Sequence, residues 1–237
     1  QLFVLTNDAP HEVVARVERT ASRSDACTAA RAAATPIFRE LFPNECLAPE
    51  QLVHVQQVTL LSTGLKHAGG KYFELGDSAA FGRLHAHFRQ LDEIIRREGG
   101  SLIKTVGEGV RAVFTEPVMA MRAALAMRAL NEPALRVSIH KGSALVATIN
   151  DHLDYFGSTV SIAERLLEVA DERPDSDRPR VFVSNVVGDN GNVVAATRQA
   201  GARLHPRPQP LAFEEFATGQ PGTTPLASPV YVLELTQ

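Results

Sequence analysis

The chain has 237 residues, 44% hydrophobic and 22% charged, a balance that excludes a wholly disordered, collagen-like or coiled-coil protein. Lys plus Arg number 24 and Asp plus Glu 27, a net charge of −3, so no global field favours nucleic acid or an acidic membrane surface as a partner. Cys27 and Cys46 cannot build a disulfide framework and fit a reducing, cytoplasmic compartment, and no apolar run approaches the ~20 residues that span a bilayer.

The chain opens on Gln1, and QLFVLTNDAP has no basic start followed by a long apolar run, so it does not read as a signal peptide. The expectation is a piece of a longer protein. His11 to Thr20 is Val-rich and predicts a strand. Ser24 or Asp25 can cap a short alanine-rich helix, and Thr35-Pro36 reads as an N-cap with proline at the first helical position. The segment IFRELF then stops at Pro43. Residues 1–50 are too few for their own core and read as the end of an upstream domain plus a connecting helix.

A different rhythm begins at Gln51. Val53–Thr63 predicts a strand, and Asp77 a cap for a helix over 78–98 with Phe81, Leu84, Phe88, Leu91 and Ile94/Ile95 on one buried face. Gly99-Gly100 is its stop. SLIKTV, a GEG turn and VRAVF read as a β-hairpin over 101–114. A helix from Pro117 to about Leu130 follows, then strands over 135–140 and 144–149, a loop DHLDYFG (151–157) and a helix over 158–170. DERPDSDRPR (171–180) is a loop, VFVSNVV (181–187) a strand, 207–227 a mobile Pro/Gly/Thr-rich stretch, and SPVYVLELT (228–236) a closing strand. The order predicts an α+β fold: a ferredoxin-like mixed sheet with helices on one face, spanning 51–237.

Three places carry polar groups beyond what the fold asks for. Lys104 and Glu108 flank the GEG hairpin, where Glu108 is either a solvated turn residue or a ligand. Asp154 lies just before a helix, as a capping carboxylate or a reader of an amine. Ser161 and Arg165 are four apart and project from one helix face, solvated or functional. Together they suit a phosphate and base site: guanidinium and ammonium for phosphate or purine, carboxylate for an exocyclic amine.

Residues 58–77 (VTLLSTGLKHAGGKYFELGD), 99–114 (GGSLIKTVGEGVRAVF), 139–142 (IHKG) and 153–166 (LDYFGSTVSIAERL) resemble, in order, class III nucleotidyl cyclase homology domains. The resemblance covers about 51–235, and the N-terminal piece is similar to the segment preceding the cyclase domain in some bacterial multidomain cyclases. It implies a signal-transduction domain that dimerises head to tail and converts ATP to cyclic AMP and pyrophosphate. Two carboxylates of one subunit would hold two Mg²⁺ or Mn²⁺ ions on the triphosphate, and the other subunit would read the base and steady the transition state. The rate would come from positioning and charge neutralisation.

Residue by residue the match is uneven. Lys104 and Asp154 fall on the base-reading pair, both of the adenine type, and Arg165 falls on the transition-state arginine. Ser161 stands at the ribose-orienting asparagine. Ser62-Thr63-Gly64-Leu65 stands where the family typically reads F-T-D-L, so Gly64 replaces the first metal aspartate and Leu65 follows it. Glu108 stands at the second. The loop that follows carries His67-Ala68-Gly69 where G-S-T-like residues are common. Losing one Asp removes a full charge from a site for two dications. The longer Glu108 displaces its carboxylate by about 1 Å, worth ~10²-fold in rate.

The resulting expectation is an adenylyl-type pseudo-cyclase, weak or inactive as a homodimer, that binds ATP or a related nucleotide or completes a heterodimer with an intact cyclase domain. A second expectation is a working cyclase with Glu108 and the Leu65 carbonyl on one Mn²⁺. A third is a non-catalytic dimerisation module. Other signals fail. HAGGKY (67–72) lacks the spacing of a Walker loop, His85 and His87 face different ways, neither cysteine has a histidine at zinc spacing, and His140 reads as packed or hydrogen-bonded.

Overall fold

The computed structural model describes residues 10, 27–42, 44, 46–48, 51–65, 76–130, 135–169, 179–210 and 231–236. The expected strand at 11–20, the caps Ser24 and Asp25, the HAGGKY stretch, the loop at 171–178 and residues 211–227 lie outside them.

The elements run α1 (Ala29–Ala33), α2 (Pro36–Leu41), β1 (Val53–Leu65), α3 (Asp77–Arg97), β2 (Ser101–Val106), β3 (Gly109–Phe114), α4 (Pro117–Arg128), β4 (Leu135–Ile149) and β5 (His152–Phe156). Then come α5 (Ser158–Val169), β6 (Arg180–Ser184), α6 (Asn185–Gly188), α7 (Gly191–Gln199), β7 (Arg203–Pro210) and β8 (Tyr231–Thr236). One mixed sheet takes the order β2-β3-β1-β4-β6-β8-β7, with β5 paired to the far half of β4. The first four strands are antiparallel, and β6 joins β4 in parallel. With α3 and α4 as the crossovers this is the ferredoxin-like core the sequence predicts.

Alternation along the central strands decides what covers each face. Leu61, Ala112, Phe114, Val137 and Ile139 face α3, α4, α6 and α7. Their neighbours Leu60 and Val113 face the other way, with Val146 and Tyr155, under Val160 and Ala163 of α5. The expectation of helices on one face is corrected. β3 and the first half of β4 are buried throughout, and strands buried on both faces need cover on both.

Several boundaries move. The N-cap of α3 is Gly76, at φ 76°, and Asp77 is the first helical residue, where its charge faces the helix dipole. Only the C-terminal part of the expected α3 face is buried: Leu91, Ile94 and Ile95 are covered, and Phe81 is 69% exposed. Gly99, at φ 80°, ends the helix as expected, with Gly100 N–H donating to the Ile95 carbonyl at 2.8 Å. The two strands expected over 135–149 are one, because Lys141-Gly142-Ser143 stays extended and β1 takes up the irregularity between Val55 and Val58. VFVSNVV turns into α6 after Ser184, and α7 and β7 were not expected. β7 absorbs 207–210 of the stretch read as mobile. As the end strand of the sheet it tolerates prolines that lack a ladder N–H.

The N-terminal segment packs on this body. Ala33 and Ala34 are buried, and Ser101 Oγ donates to the Ala34 carbonyl at 3.1 Å. Thr148 Oγ1 receives the Leu47 N–H at 2.7 Å and donates to the Leu47 carbonyl at 3.0 Å. No described helix is long and apolar enough to cross a membrane.

Candidate functional site

The β2–β3 hairpin sets the first half of the site. Gly107 turns at φ 56°, and Val110 N–H donates to Thr63 Oγ1 at 3.0 Å. A Cβ on Gly109 would overlap the Thr63 carbonyl, so only glycine lets β3 lie this close to β1. Gly64, Leu65 and Glu108 thereby meet in one cleft of about 290 Å³, also lined by Arg111, Arg136, Glu164, Leu167 and Glu168.

Two features of that cleft were not read from the sequence. Leu167 of α5 points into it: a Cβ on Gly64 would lie 3.2 Å from Leu167 Cδ2. Arg136 pairs with Gly64 across the β1–β4 ladder and is 7% exposed. Burial, with the charge of Arg180 beside it, pushes the Arg136 guanidinium below its ordinary pKa, and Glu108 pulls it back up. The signal was present in LRVSIH, where Arg136, Ser138 and His140 alternate with the apolar residues to make a polar stripe on a buried strand.

These residues do not fit a two-ion centre. Gly64 offers only backbone, Leu167 crowds the place where a side chain at 64 would begin, and Arg136 puts a fixed cation near Glu108, where a dication would be repelled. Among the described residues no group of three or more His, Cys, Asp or Glu is placed to hold a metal ion.

The second half is a separate pair. Lys104 Nζ lies 2.5 Å from Asp154 Oδ2, and Asp154 Oδ1 accepts the Tyr155 N–H at 2.8 Å. Asp154 is on β5, not in a loop before a helix, which corrects the capping alternative. Asp154 as a residue is 7% exposed. Burial raises the neighbouring Tyr155 phenol above its ordinary pKa, Arg39 opposing. Two anchors and burial fix the Asp154 orientation before any ligand arrives.

Ser161 and Arg165 form the third group, on α5. Arg165 Nη1 donates to Glu168 Oε2 at 2.6 Å, within the helix. α5 is held down by Ser138 Oγ donating to the Ala163 carbonyl at 2.7 Å, Thr159 Oγ1 donating to the Ser143 carbonyl at 2.5 Å, and an ion pair between Arg111 and Glu164. Arg111 is buried and Glu164 half-exposed, so Glu164→Ala strands a cation that water reaches poorly. The expected loss is about 2 kcal/mol, below the 3–5 of a fully buried pair because the Glu164 side is solvated. Urea unfolding checks it, and Arg111→Met with Glu164→Leu should recover most of the loss.

No protein-family model matches the sequence, and no curated protein does either. Solved structures do match. The catalytic core of a rhodopsin-guanylyl cyclase with converted specificity, in complex with ATPalphaS, superposes with TM-score 0.60 at 13% identity, covering 78% of this chain and 98% of that one. The adenylyl cyclase CyaB from P. aeruginosa gives 0.57 at 16%, covering 79% and 96%. An adenylate cyclase from Trypanosoma brucei in its monomeric state gives 0.58 at 15%, covering 81% and 93%. The chain therefore has the class III nucleotidyl cyclase fold, as its sequence motifs imply. Adenylyl and guanylyl cyclases both share that fold, so the fold does not choose the base.

Proposed function

We propose that residues 51–237 are an adenylyl-type cyclase domain whose metal half-site is closed. It binds ATP or a related nucleotide and, as a homodimer, makes cyclic AMP slowly or not at all. One observation carries this reading: Leu167 crowds the place of a side chain at Gly64, with Arg136 directly opposite. On this reading the aspartate is absent, and Leu167 leans on the space its side chain would enter. Residues 1–50 would be the end of an upstream domain and its connecting helix, and the compartment the cytoplasm, in a signalling role.

The retained half supports nucleotide binding. Adenine presents a donor at its amine and an acceptor at N1, and the Asp154 carboxylate and Lys104 ammonium complement that edge. Arg165 and Ser161, on the outer face of α5, supply a charge for phosphate and a hydroxyl for ribose. Intact base-reading residues beside a closed metal site also favour the heterodimer reading, in which a partner domain brings both metal carboxylates with Mg²⁺ or Mn²⁺.

In the test, purified chain with ATP and Mn²⁺ forms no cyclic AMP above background and still binds ATP in equilibrium dialysis. Asp154→Ala weakens that binding about tenfold, the size of a charge-assisted hydrogen bond. Robust cyclic AMP from the homodimer ends the reading, and no ATP binding leaves the dimerisation module. Mixing with an intact cyclase domain should give turnover that Arg165→Ala abolishes.

A further inference from the structure

We propose that Arg39 and Tyr155 are positioning residues for the Lys104–Asp154 pair: through them the N-terminal segment braces β2 against β5 and sets the span of that pair. That the pair reads a nucleotide base rests on the proposed function; the bracing does not.

β2 and β5 share no ladder. β3, β1 and β4 lie between them in the sheet, yet Lys104 Nζ of β2 lies 2.5 Å from Asp154 Oδ2 of β5, so the sheet curls until the two side chains meet. Backbone hydrogen bonds therefore do not set the spacing of the two strands directly. An ion pair whose lysine side chain is 43% exposed holds them only weakly. The N-terminal segment packs into the curl. Ala34 and Leu47 join one apolar cluster with Ile103, Leu153 and Tyr155, which are the sequence neighbours of Lys104 and Asp154.

The polar contacts close a circuit. Ser101 Oγ of β2 donates to the Ala34 carbonyl at 3.1 Å, and Arg39 Nε of α2 donates to the Ala33 carbonyl at 2.7 Å. Arg39 is in turn hydrogen-bonded to the Tyr155 phenol on β5. Tyr155 N–H donates to Asp154 Oδ1 at 2.8 Å, and Asp154 returns to Lys104 on β2. The Arg39–Tyr155 bond is loose in geometry, but neither Arg39 Nη2 nor the phenol oxygen has another partner among the described residues, and both atoms are buried. Losing either group strands the other away from water. A tyrosine held by its ring in the core and by its hydroxyl fixes the β5 backbone, and with it the carboxylate one residue before.

The bracing is tested on the full chain without nucleotide, by NMR. The coupling across the hydrogen bond between Lys104 ¹⁵Nζ and the Asp154 carboxyl ¹³C should be present in the wild type. In Arg39→Gln and in Tyr155→Phe it should fall about twofold or more. The coupling belongs to the folded state, so a loss of stability alone leaves it unchanged. A coupling absent from the wild type, or unchanged in either variant, overturns the proposal. If Arg39→Gln does not fold, Tyr155→Phe, which keeps the ring in the core, decides alone. A second arm compares ATP with inosine triphosphate, which has a carbonyl in place of the amine, in equilibrium dialysis. Arg39→Gln should lower the preference for ATP about threefold and lower it no further in an Asp154→Ala background. An undiminished preference, or an additive loss in that background, overturns the positioning role. If the wild type binds neither nucleotide, the proposed function fails and the NMR arm alone decides the bracing.

Discussion

Under the proposed function, Gly64→Asp alone leaves cyclic AMP formation with Mn²⁺ and ATP at the wild-type level, at or near background, whereas Gly64→Asp with Leu167→Ala raises it about 10²-fold above that level, the size of one restored charge contact. The asymmetry follows from the cleft. The new Cβ would start 3.2 Å from Leu167 Cδ2, so Leu167 must give way before the carboxylate beyond it finds room. Even a carboxylate that fits first meets Arg136, its in-register neighbour on β4. Truncating Leu167 opens space for the aspartate to turn toward Glu108, and its charge then offsets the guanidinium. The assay is cyclic AMP formed per protomer at saturating ATP, with urea unfolding as a check that both variants are folded. A single variant as active as the double would show that Leu167 yields freely, and the closed-site reading would fail.

This contrast marks what the sequence could and could not reveal. That Gly64 stands where the resemblance implies a carboxylate is legible in one line of text, because it sits at a recognisable strand end. What leans on Gly64 is not, because Leu167 lies far along the chain and reaches the cleft only through the packing of α5. The hairpin at 101–114, the Gly99-Gly100 stop and β1 were legible because turn chemistry and alternation are local. β5 was missed although its signal was local too. Asn150 and Asp151 both take positive φ, at 50° and 61°, as in a two-residue hairpin turn, and these residue types tolerate it. α7 was not expected because Val193 and Val194 are its only large apolar residues, too few in nine positions to show a helical period. The deciding feature was the Asn190 cap, whose side chain accepts from the N–H groups of Asn192 and Val193. Lys104 and Asp154 were legible as identities, and their 2.5 Å pairing was not, since β5 had been taken for a loop.

Lowering the pH from 7 to 4 destabilises the wild-type chain by about 3 kcal/mol more than it destabilises His140→Asn. His140 is 4% exposed, and burial pushes its imidazole from an ordinary 6.5 down to about 4. Above pH 6.5 the ring is neutral in both folded and unfolded chains, and the shift has no effect on stability. Between 6.5 and 4 the unfolded chain takes up the proton and the folded chain resists it, so stability falls with each step toward acid. Below 4 both states are protonated and the penalty levels off. Other groups titrate in the same window, but they are common to both proteins, so the difference between the two urea-unfolding curves isolates His140. Parallel curves would mean that the folded ring titrates near its ordinary value. The position of the ring gives the penalty a structural path. Its Nδ1 lies 2.8 Å from Ser184 Oγ on β6, and its Nε2 lies beside Gly142, whose other close neighbour is Thr159 of α5. A charge forced into that seam strains the β4–β6 pairing and the seat of α5 together. α5 carries Ser161 and Arg165, so under the proposed function nucleotide binding should weaken with acid before global unfolding in the wild type and not in His140→Asn.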